Sequence, residues 1–369
     1  MNLLDTHILE NWYQTNFESQ IKGRRILFND IEPLIKKLSN KFKKEILGYS
    51  ENNIPIYKIS IGTGSIKILS WSQMHGNEST GTKALFDLFN FFENSGDLES
   101  IKDQILKQCM LQFIVLLNPD GAIKFTRENA NNIDLNRDAV DRKAIESNLL
   151  RKTLEIFNPK FCFNLHDQRT IFNVAGTKNP ATLSFLAPSE DLERTITNGR
   201  IETMSVIVAM NNFLQQFIPN QIGRYTDEFY PTATGDNFQK LGHNTILIEA
   251  GHFKGDYSRE ITRKYNFYAL LNGLYFIATA NDFKNFKPYF KIPNNDKMFL
   301  DIIYKNLKIP KNNSQITTDV GIQYKFKIEN DELIMYKSIE KEGDLSEYFT
   351  FNMINGEKLN YYDLKLSNS

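Results

Sequence analysis

Apolar runs of strand length recur along this chain, and several of them end in a polar or charged motif. Residues 111–117 read LQFIVLL and lead into Asn-Pro-Asp-Gly, which is expected to form a tight turn. Residues 160–165 lead to His166, and residues 244–248 lead to Glu249. Runs of this length and apolarity are typical of strands that are covered on both faces of a sheet.

Segments with helical spacing lie between these runs. The spacing predicts helices near residues 31–42, 81–92 and 191–217, and another that begins near Ser258. Strands that alternate with helices predict an α/β fold, with a mostly parallel sheet sandwiched by helices. In such folds the ligand binds just outside the carboxyl ends of the strands, where the polar motifs of this chain are expected to lie.

The character of the sequence changes after about Phe286. Pro288, Pro293 and a cluster at 294–296 interrupt the chain, and stretches such as 321–328 then alternate between apolar and polar residues. We therefore expect residues 1–289 to form the main α/β domain and residues 290–369 to form a small β-rich C-terminal appendage.

Composition narrows the classes of function. Lys and Arg together number 44, as do Asp and Glu, so the net charge is zero and no basic stripe indicates a nucleic-acid partner. No secretory signal and no apolar run of membrane-spanning length is visible, which favours a cytoplasmic protein without a membrane partner. Cys109 and Cys162 lie in apolar, strand-like stretches and are expected to be buried free thiols. The oligomeric state is not indicated.

A metal site is predicted from two histidines and two glutamates. His75 and Glu78 form His-x-x-Glu after a strand, and His166 ends another strand, so all three are expected at the same edge of the sheet. Two His and one Glu are a common ligand set for catalytic Zn²⁺. Glu249 also ends an apolar strand, where a carboxylate is costly unless it has a partner or a chemical role, such as that of a general base.

The segment 126–137 carries two arginines, Arg127 and Arg137, around a stretch rich in asparagine. A guanidinium group pairs well with a carboxylate, so this segment is a candidate for substrate binding. Asp236 has two interpretations: it either binds a basic or amine-bearing group of a ligand, or it caps its own turn.

Five motifs in this order resemble the zinc carboxypeptidase family, the carboxypeptidase A-like metallopeptidases. They are HGNE (75–78), NPDG (118–121), TRENANNIDLNRD (126–138), NLH (164–166) and ILIEAG (246–251), and the resemblance covers roughly residues 25–285. It implies a mixed, mostly parallel sheet of about eight strands. Asn132 departs from the family pattern, since many relatives have glycine at this position. Only a short segment precedes the first family-like strand, so we expect no inhibitory prosegment.

The resemblance also implies roles for individual residues. His75, Glu78 and His166 would hold one Zn²⁺ per chain, while Asp134 would accept a hydrogen bond from His75. Glu249 would activate the attacking water and Arg127 would stabilise the oxyanion. Asn136 and Arg137 would bind the terminal carboxylate of the substrate. Either Tyr225 or Tyr230 would be the family's mobile tyrosine.

We therefore predict a zinc-dependent metallocarboxypeptidase that hydrolyses the C-terminal peptide bond of peptides with a free terminal carboxylate, using a metal-activated water and a Glu general base. A zinc deacylase of N-acyl amino acids, of the succinylglutamate desuccinylase and aspartoacylase type, is the alternative, as is an amidase of cell-wall peptides. The motifs NPDG (118–121) and DLNR (134–137) favour the peptidase over the deacylase. A metal-binding module without turnover is a third interpretation, and Glu249 argues against it.

Overall fold

The computed structural model of the protein describes residues 4–311 and 314–362. The α-helices in this part of the chain are α1 (Thr6–Asn16), α2 (Phe28–Lys37), α3 (Thr80–Glu93), α4 (Glu99–Gln108), α5 (Pro119–Lys124), α6 (Ile145–Phe157), α7 (Asn198–Leu214), α8 (Thr234–Lys240) and α9 (Glu260–Thr279). The strands are β1 (Lys43–Tyr49), β2 (Pro55–Ile61), β3 (Ile66–Ser72), β4 (Cys109–Ile114), β5 (Phe161–Asp167), β6 (Asn173–Val174), β7 (Leu183–Leu186), β8 (Ile222–Arg224), β9 (Asn244–Ala250), β10 (Asn295–Asp296), β11 (Ile302–Lys311), β12 (Ser314–Glu329), β13 (Glu332–Gly343) and β14 (Met353–Asn355).

The main sheet has eight strands in the order β1-β2-β4-β3-β5-β9-β7-β8. Its centre, β4-β3-β5-β9, is parallel throughout, and β7 pairs with β8 in parallel as well. Antiparallel pairs join β1 to β2, β2 to β4 and β7 to β9. The predicted mixed, mostly parallel sheet of about eight strands is therefore confirmed.

The two faces of this sheet bury separate groups of side chains, because successive residues of a strand point to opposite faces. In β5, Phe161 and Phe163 belong to a large apolar cluster that includes residues of α3, α7 and α9. Cys162, between them, belongs to a smaller cluster that includes residues of α6 and α8. Helices therefore cover both faces, as the apolar strand sequences predict. Both cysteines are free and buried, which confirms that prediction.

Two sequence-based boundaries differ from the structure. The helix expected over 191–217 begins only at Asn198, where the side chain of Thr197 caps it by accepting a hydrogen bond from the amide of Arg200. NPDG was expected to form a tight turn but begins α5 instead. The side chain of Asn118 caps this helix and Pro119 takes its first position, where a missing N–H costs nothing.

The β-rich appendage is also confirmed, as a four-stranded sheet in the order β13-β12-β11-β14. Its longest pair, β12 and β13, is joined by Asn330 and Asp331, which both have positive φ (51° and 63°), as a two-residue hairpin turn requires. The boundary at residue 290 stays a prediction. Among the described residues, no helix has the length and apolarity needed to span a membrane.

Candidate metal centre

The three central strands β3, β5 and β9 place polar side chains at one edge of the main sheet. His166 is the penultimate residue of β5, Glu249 has the same position in β9, and His75 follows the last residue of β3 by three positions. These strands are neighbours and run parallel, so their carboxyl ends meet at the same edge. The edge predicted to hold the site therefore brings these residues together.

His75, Glu78 and His166 form a compact group of possible metal ligands. The Nδ1 atoms of the two histidines lie 3.1 Å apart. Glu78 places Oε1 2.9 Å from Nδ1 of His75 and Oε2 2.9 Å from Nδ1 of His166. Tetrahedral zinc ligands, each about 2.1 Å from the metal, would be about 3.4 Å from one another. The spacing of these atoms fits a shared metal ion.

Asp134 sets the tautomer of His75. One carboxylate oxygen of Asp134 lies 3.1 Å from Nε2 of His75, and the other accepts a hydrogen bond of 2.9 Å from Nε of Arg127. Burial opposes charge on Asp134, but the hydrogen bond and charge of His75 and the charge of Arg127 hold its pKa well below the ordinary value. An ionised Asp134 requires the proton of His75 on Nε2, which leaves the Nδ1 lone pair for a metal.

The electrostatics of the group favour a cation at its centre. Burial lowers the pKa of His166, which keeps this ring neutral. Burial works against a charge on Glu78, but the two histidines hold its pKa well below the ordinary value. Burial likewise opposes a charge on His75, yet the charge of Glu78 and the hydrogen bonds to Asp134 and Glu78 together outweigh it and raise the pKa of His75. A divalent ion would supply this positive charge between donors of the right chemistry, so the residues fit Zn²⁺.

Glu249 lies opposite His166 in the register between β9 and β5. Burial raises its pKa well above the ordinary value, and the charges of Glu78 and Asp167 raise it further. Its carboxylate has no hydrogen bond or ion pair with any residue that the structure describes. A carboxyl group with a raised pKa beside the metal ligands has the properties that a proton carrier needs.

Arg127 is held at the edge of the ligand group. Besides its bond to Asp134, its Nη1 lies 3.2 Å from Nδ1 of His75 and 3.6 Å from Oε1 of Glu78. The side chain is 39% exposed, so a substrate can reach it. The guanidinium group therefore faces the position where the predicted oxyanion would form.

Asn136 and Arg137 lie in a short 3₁₀ helix at Leu135–Arg137. Oδ1 of Asn136 accepts a hydrogen bond from the amide of Thr234, which joins this segment to the start of α8. Arg137 is exposed, and its Nη1 donates to the carbonyl of Asn136. The guanidinium group thus keeps most of its donors free for a ligand, and its predicted role stays a prediction.

The two candidate tyrosines lie in different surroundings. Tyr225 is half-buried after β8, and its pKa is raised by burial, then by the charges of Glu249 and Glu78. Tyr230 is 50% exposed, and its hydroxyl donates to Glu228 over 2.7 Å. Tyr225 is therefore within range of the charges of Glu249 and Glu78, whereas Tyr230 lies in the exposed loop before α8, and which of the two is the mobile tyrosine stays a prediction.

Asp236 is buried in the first turn of α8, and its Oδ1 accepts a hydrogen bond from the backbone amide of Tyr230. Burial raises its pKa to about 6. Because this buried carboxyl group already accepts a hydrogen bond from its own loop, the structure favours the capping interpretation over a role in a specificity pocket. Two further histidines lie outside the ligand group: Nδ1 of His243 lies 2.7 Å from the carbonyl oxygen of Pro159, and the ring of His252 packs against that of Tyr257, tilted by 38° and with the centroids 5.1 Å apart.

Two supports of the site were not foreseen from the sequence. Asn118 of NPDG donates from its side-chain amide to the carbonyl of Met74, beside His75. A Cβ on Gly76 would lie 1.9 Å from the carbonyl carbon of Gly121, so only glycine allows these two loops to approach so closely. Both glycines belong to motifs that resemble the family, HGNE and NPDG, but only the tertiary structure shows that the two motifs are in contact.

Arg259 is a third support of the site that the sequence did not indicate. It is buried, and it donates to the carbonyls of Ala250 (2.7 Å) and Gln168 (2.8 Å), which follow Glu249 and His166 by one and two residues. One guanidinium group therefore joins the ends of the two strands that carry the predicted base and a metal ligand. Nothing in the sequence around Arg259 indicated this role.

Comparison with known proteins supports the same family. Residues 29–170 match the model of the zinc carboxypeptidase family. A carboxypeptidase of Arabidopsis thaliana, SOL1, is 29% identical over 124 residues, which are 31% of this chain and 25% of that protein. The chain thus matches about a quarter of the length of this curated relative. The predicted resemblance to the zinc carboxypeptidase family is therefore confirmed over residues 29–170.

Solved structures show the same fold. The metallo-carboxypeptidase of Burkholderia cenocepacia aligns with 67% of this chain and 66% of its own, at 14% identity and a TM-score of 0.54. Carboxypeptidase A of Helicoverpa armigera aligns with 75% of this chain and 81% of its own, at 12% identity and a TM-score of 0.53. The alignments show that the carboxypeptidase-like fold extends well beyond the segment that matches the family model.

Proposed function

We propose that this chain, whose residues 29–170 match the zinc carboxypeptidase family, is a metallocarboxypeptidase that holds one Zn²⁺ and releases C-terminal residues from peptides. The observation that carries the proposal is the ligand group of His75, Glu78 and His166, with Glu249 directly across from His166. A deacylase of N-acyl amino acids is not favoured, since the family match is to zinc carboxypeptidases.

The chemistry divides between the metal and the protein. A Zn²⁺ ion held by His75, Glu78 and His166 would lower the pKa of water and polarise the scissile carbonyl. Glu249 takes one proton from the attacking water on a carboxylate oxygen and returns it to the nitrogen of the leaving amine. The water oxygen forms a bond to the carbonyl carbon, the C–N bond breaks, and Glu249 ends the cycle ionised.

Arg127 and Arg137 act at different stages of this reaction. The guanidinium group of Arg127 faces the ligand group and stabilises the oxyanion that develops on the former carbonyl oxygen. Arg137 binds the terminal carboxylate of the substrate, with the side-chain amide of Asn136 as a further donor. Asp134 holds His75 in the required tautomer and also orients Arg127.

The proposal is tested on the purified chain. We expect about one zinc per chain by elemental analysis, release of C-terminal amino acids from peptides, and loss of this release when a chelator removes the metal. A panel of N-acyl amino acids serves as the comparison. If acyl amino acids are hydrolysed and peptides remain intact with stoichiometric zinc, the carboxypeptidase proposal is wrong.

A further inference from the structure

A cleft next to the metal centre lies between the main domain and the β-rich appendage. Its volume is ≈ 320 Å³. Glu78 and Asp167 line one side, and Lys325 and Phe326 of β12 line the other, together with Tyr336 of β13. The appendage therefore forms one wall of a space that opens onto a metal ligand.

Contacts on both sides of the cleft hold this wall in place. Arg25 donates to the carbonyl and the carboxylate of Asp331, at the β12–β13 turn, over 2.6 and 2.8 Å. On the other side, Arg169 pairs with Glu340 at 2.7 Å, and the hydroxyl of Thr170 donates to Oε1 of Gln323 at 2.8 Å. The wall is thus attached at its turn and along its strands.

The face of the cleft carries more positive than negative charge. Arg24 lies over the ring of Phe326, with the guanidinium carbon 5.0 Å from the ring centroid, and 3.7 Å from the carboxylate of Asp167. The exposed ammonium group of Lys325 has no ion pair or hydrogen bond with any residue in ranges 4–311 and 314–362. Lys325 is therefore available for an anionic ligand.

The cleft does not include the predicted clamp for the terminal carboxylate. Glu78 lines it, but Asn136, Arg137, Tyr230 and Asp236 do not. A peptide with its terminus at Arg137 and its scissile bond at the metal ligands would continue past Glu78. The residues on the N-terminal side of the scissile bond would then enter this cleft.

We propose that the appendage completes a binding site for the substrate residues upstream of the scissile bond, and that Lys325 and Arg24 make this site prefer acidic side chains. The proposal rests on the proposed carboxypeptidase function. The aromatic side chains of Phe326 and Tyr336 add apolar surface against which the stems of Glu side chains pack. Specificity for the upstream sequence thus comes from the C-terminal sheet.

The experiment compares peptides that share their last residue and differ in having Glu or Lys in the positions before it. For the wild-type chain we expect a higher kcat/KM on the Glu peptide. Lys325→Glu should lower the Glu-to-Lys ratio of kcat/KM by roughly fivefold or more, because a favourable charge becomes a repulsive one. The effect should shrink at high salt. Lys308→Glu, an exposed position of β11 in the same sheet, should leave the ratio unchanged.

A binding measurement distinguishes a failure of the acidic site from a failure of the proposed carboxypeptidase function. Anisotropy of labelled Glu and Lys peptides, measured on the zinc-loaded chain with Glu249→Gln, reports the cleft without turnover. If the wild type hydrolyses no peptide but Lys325→Glu still weakens binding of the Glu peptide selectively, the function fails and the acidic site stands. If the wild type hydrolyses peptides and Lys325→Glu changes neither the ratio of kcat/KM nor the relative binding, the acidic site is wrong.

Discussion

His166 and Glu249 lie directly opposite each other on adjacent parallel strands, β5 and β9. One is a candidate metal ligand and the other a carboxyl group whose pKa is raised by burial and by neighbouring charges. Since the strand pairing fixes both backbones, the distance between the proposed base and His166 does not depend on a loop. Rigid placement of this kind lowers the reorganisation that a reaction requires.

Glu249→Gln should lower kcat by about 10³-fold or more and leave the zinc content near that of the wild type. The amide keeps the size of the side chain but cannot carry the proton, and Glu249 is not among the metal ligands. Peptide hydrolysis and elemental analysis on the same samples check both parts. Glu193→Gln, at an exposed position, is the matched control. Full activity of Glu249→Gln would show that another group is the base.

Asp134→Asn should weaken zinc binding by roughly 10- to 100-fold. The amide no longer attracts the Nε2 proton of His75 as strongly, so the tautomer that offers Nδ1 to a metal is less favoured. Competition with a chromophoric chelator measures the affinity. Asp141→Asn, an exposed change nearby in the sequence, should retain wild-type affinity. Equal affinities for both variants would contradict the proposed role of Asp134.

Arg137→Lys should lower kcat/KM for peptides with a free C-terminus by on the order of 10²-fold, because lysine keeps the charge but loses the paired donors. Peptides with an amidated C-terminus should be poor substrates of both forms, with little difference between them. The comparison of free and amidated peptides is the measurement. Equal cleavage of both by the wild type would mean that Arg137 does not bind a terminal carboxylate.

Arg127→Lys should behave differently from Arg137→Lys. Its proposed target, the oxyanion, is present only near the transition state, so kcat should fall by about 10²-fold while KM changes little. Because Arg127 also bonds to Asp134, zinc content is measured alongside the kinetics. A change confined to KM would assign Arg127 to ground-state substrate binding instead.

Asp236→Asn should stabilise the protein above about pH 6. Burial raises the pKa of Asp236 to about 6 from an ordinary value of 3.8, so the folded state binds the proton more tightly than the unfolded state. This group therefore makes wild-type stability fall as pH rises from about 4 to about 6, by up to ~3 kcal/mol. Asparagine can still accept the hydrogen bond from Tyr230.

The measurement for Asp236 is Tm as a function of pH. The difference between variant and wild type should be near zero at pH 4 and positive at pH 7.5. A difference that is independent of pH would show that folding does not raise the pKa of Asp236. It would also restore Asp236 as a candidate partner for a basic terminal residue of the substrate.

Local sequence was enough to predict the elements and several site residues. The apolar runs that become β3, β4, β5 and β9 are recognisable because a strand buried on both faces needs apolar residues at successive positions. The candidate ligands His75, Glu78 and His166 follow from their positions at strand ends and from the family motifs. A parallel sheet places such ends at one edge, so their proximity could be expected before the strand order was known.

The tertiary structure alone decided which distant segments meet at this edge. Arg259 joins the ends of β5 and β9, and Gly76 allows its loop to approach Gly121, although no local pattern marks either contact. The position of Lys325 beside the metal centre is likewise set by the packing of the appendage. Hydrophobic periodicity encodes the face that each element buries, but the partner of a polar side chain far along the chain depends on how all elements pack together.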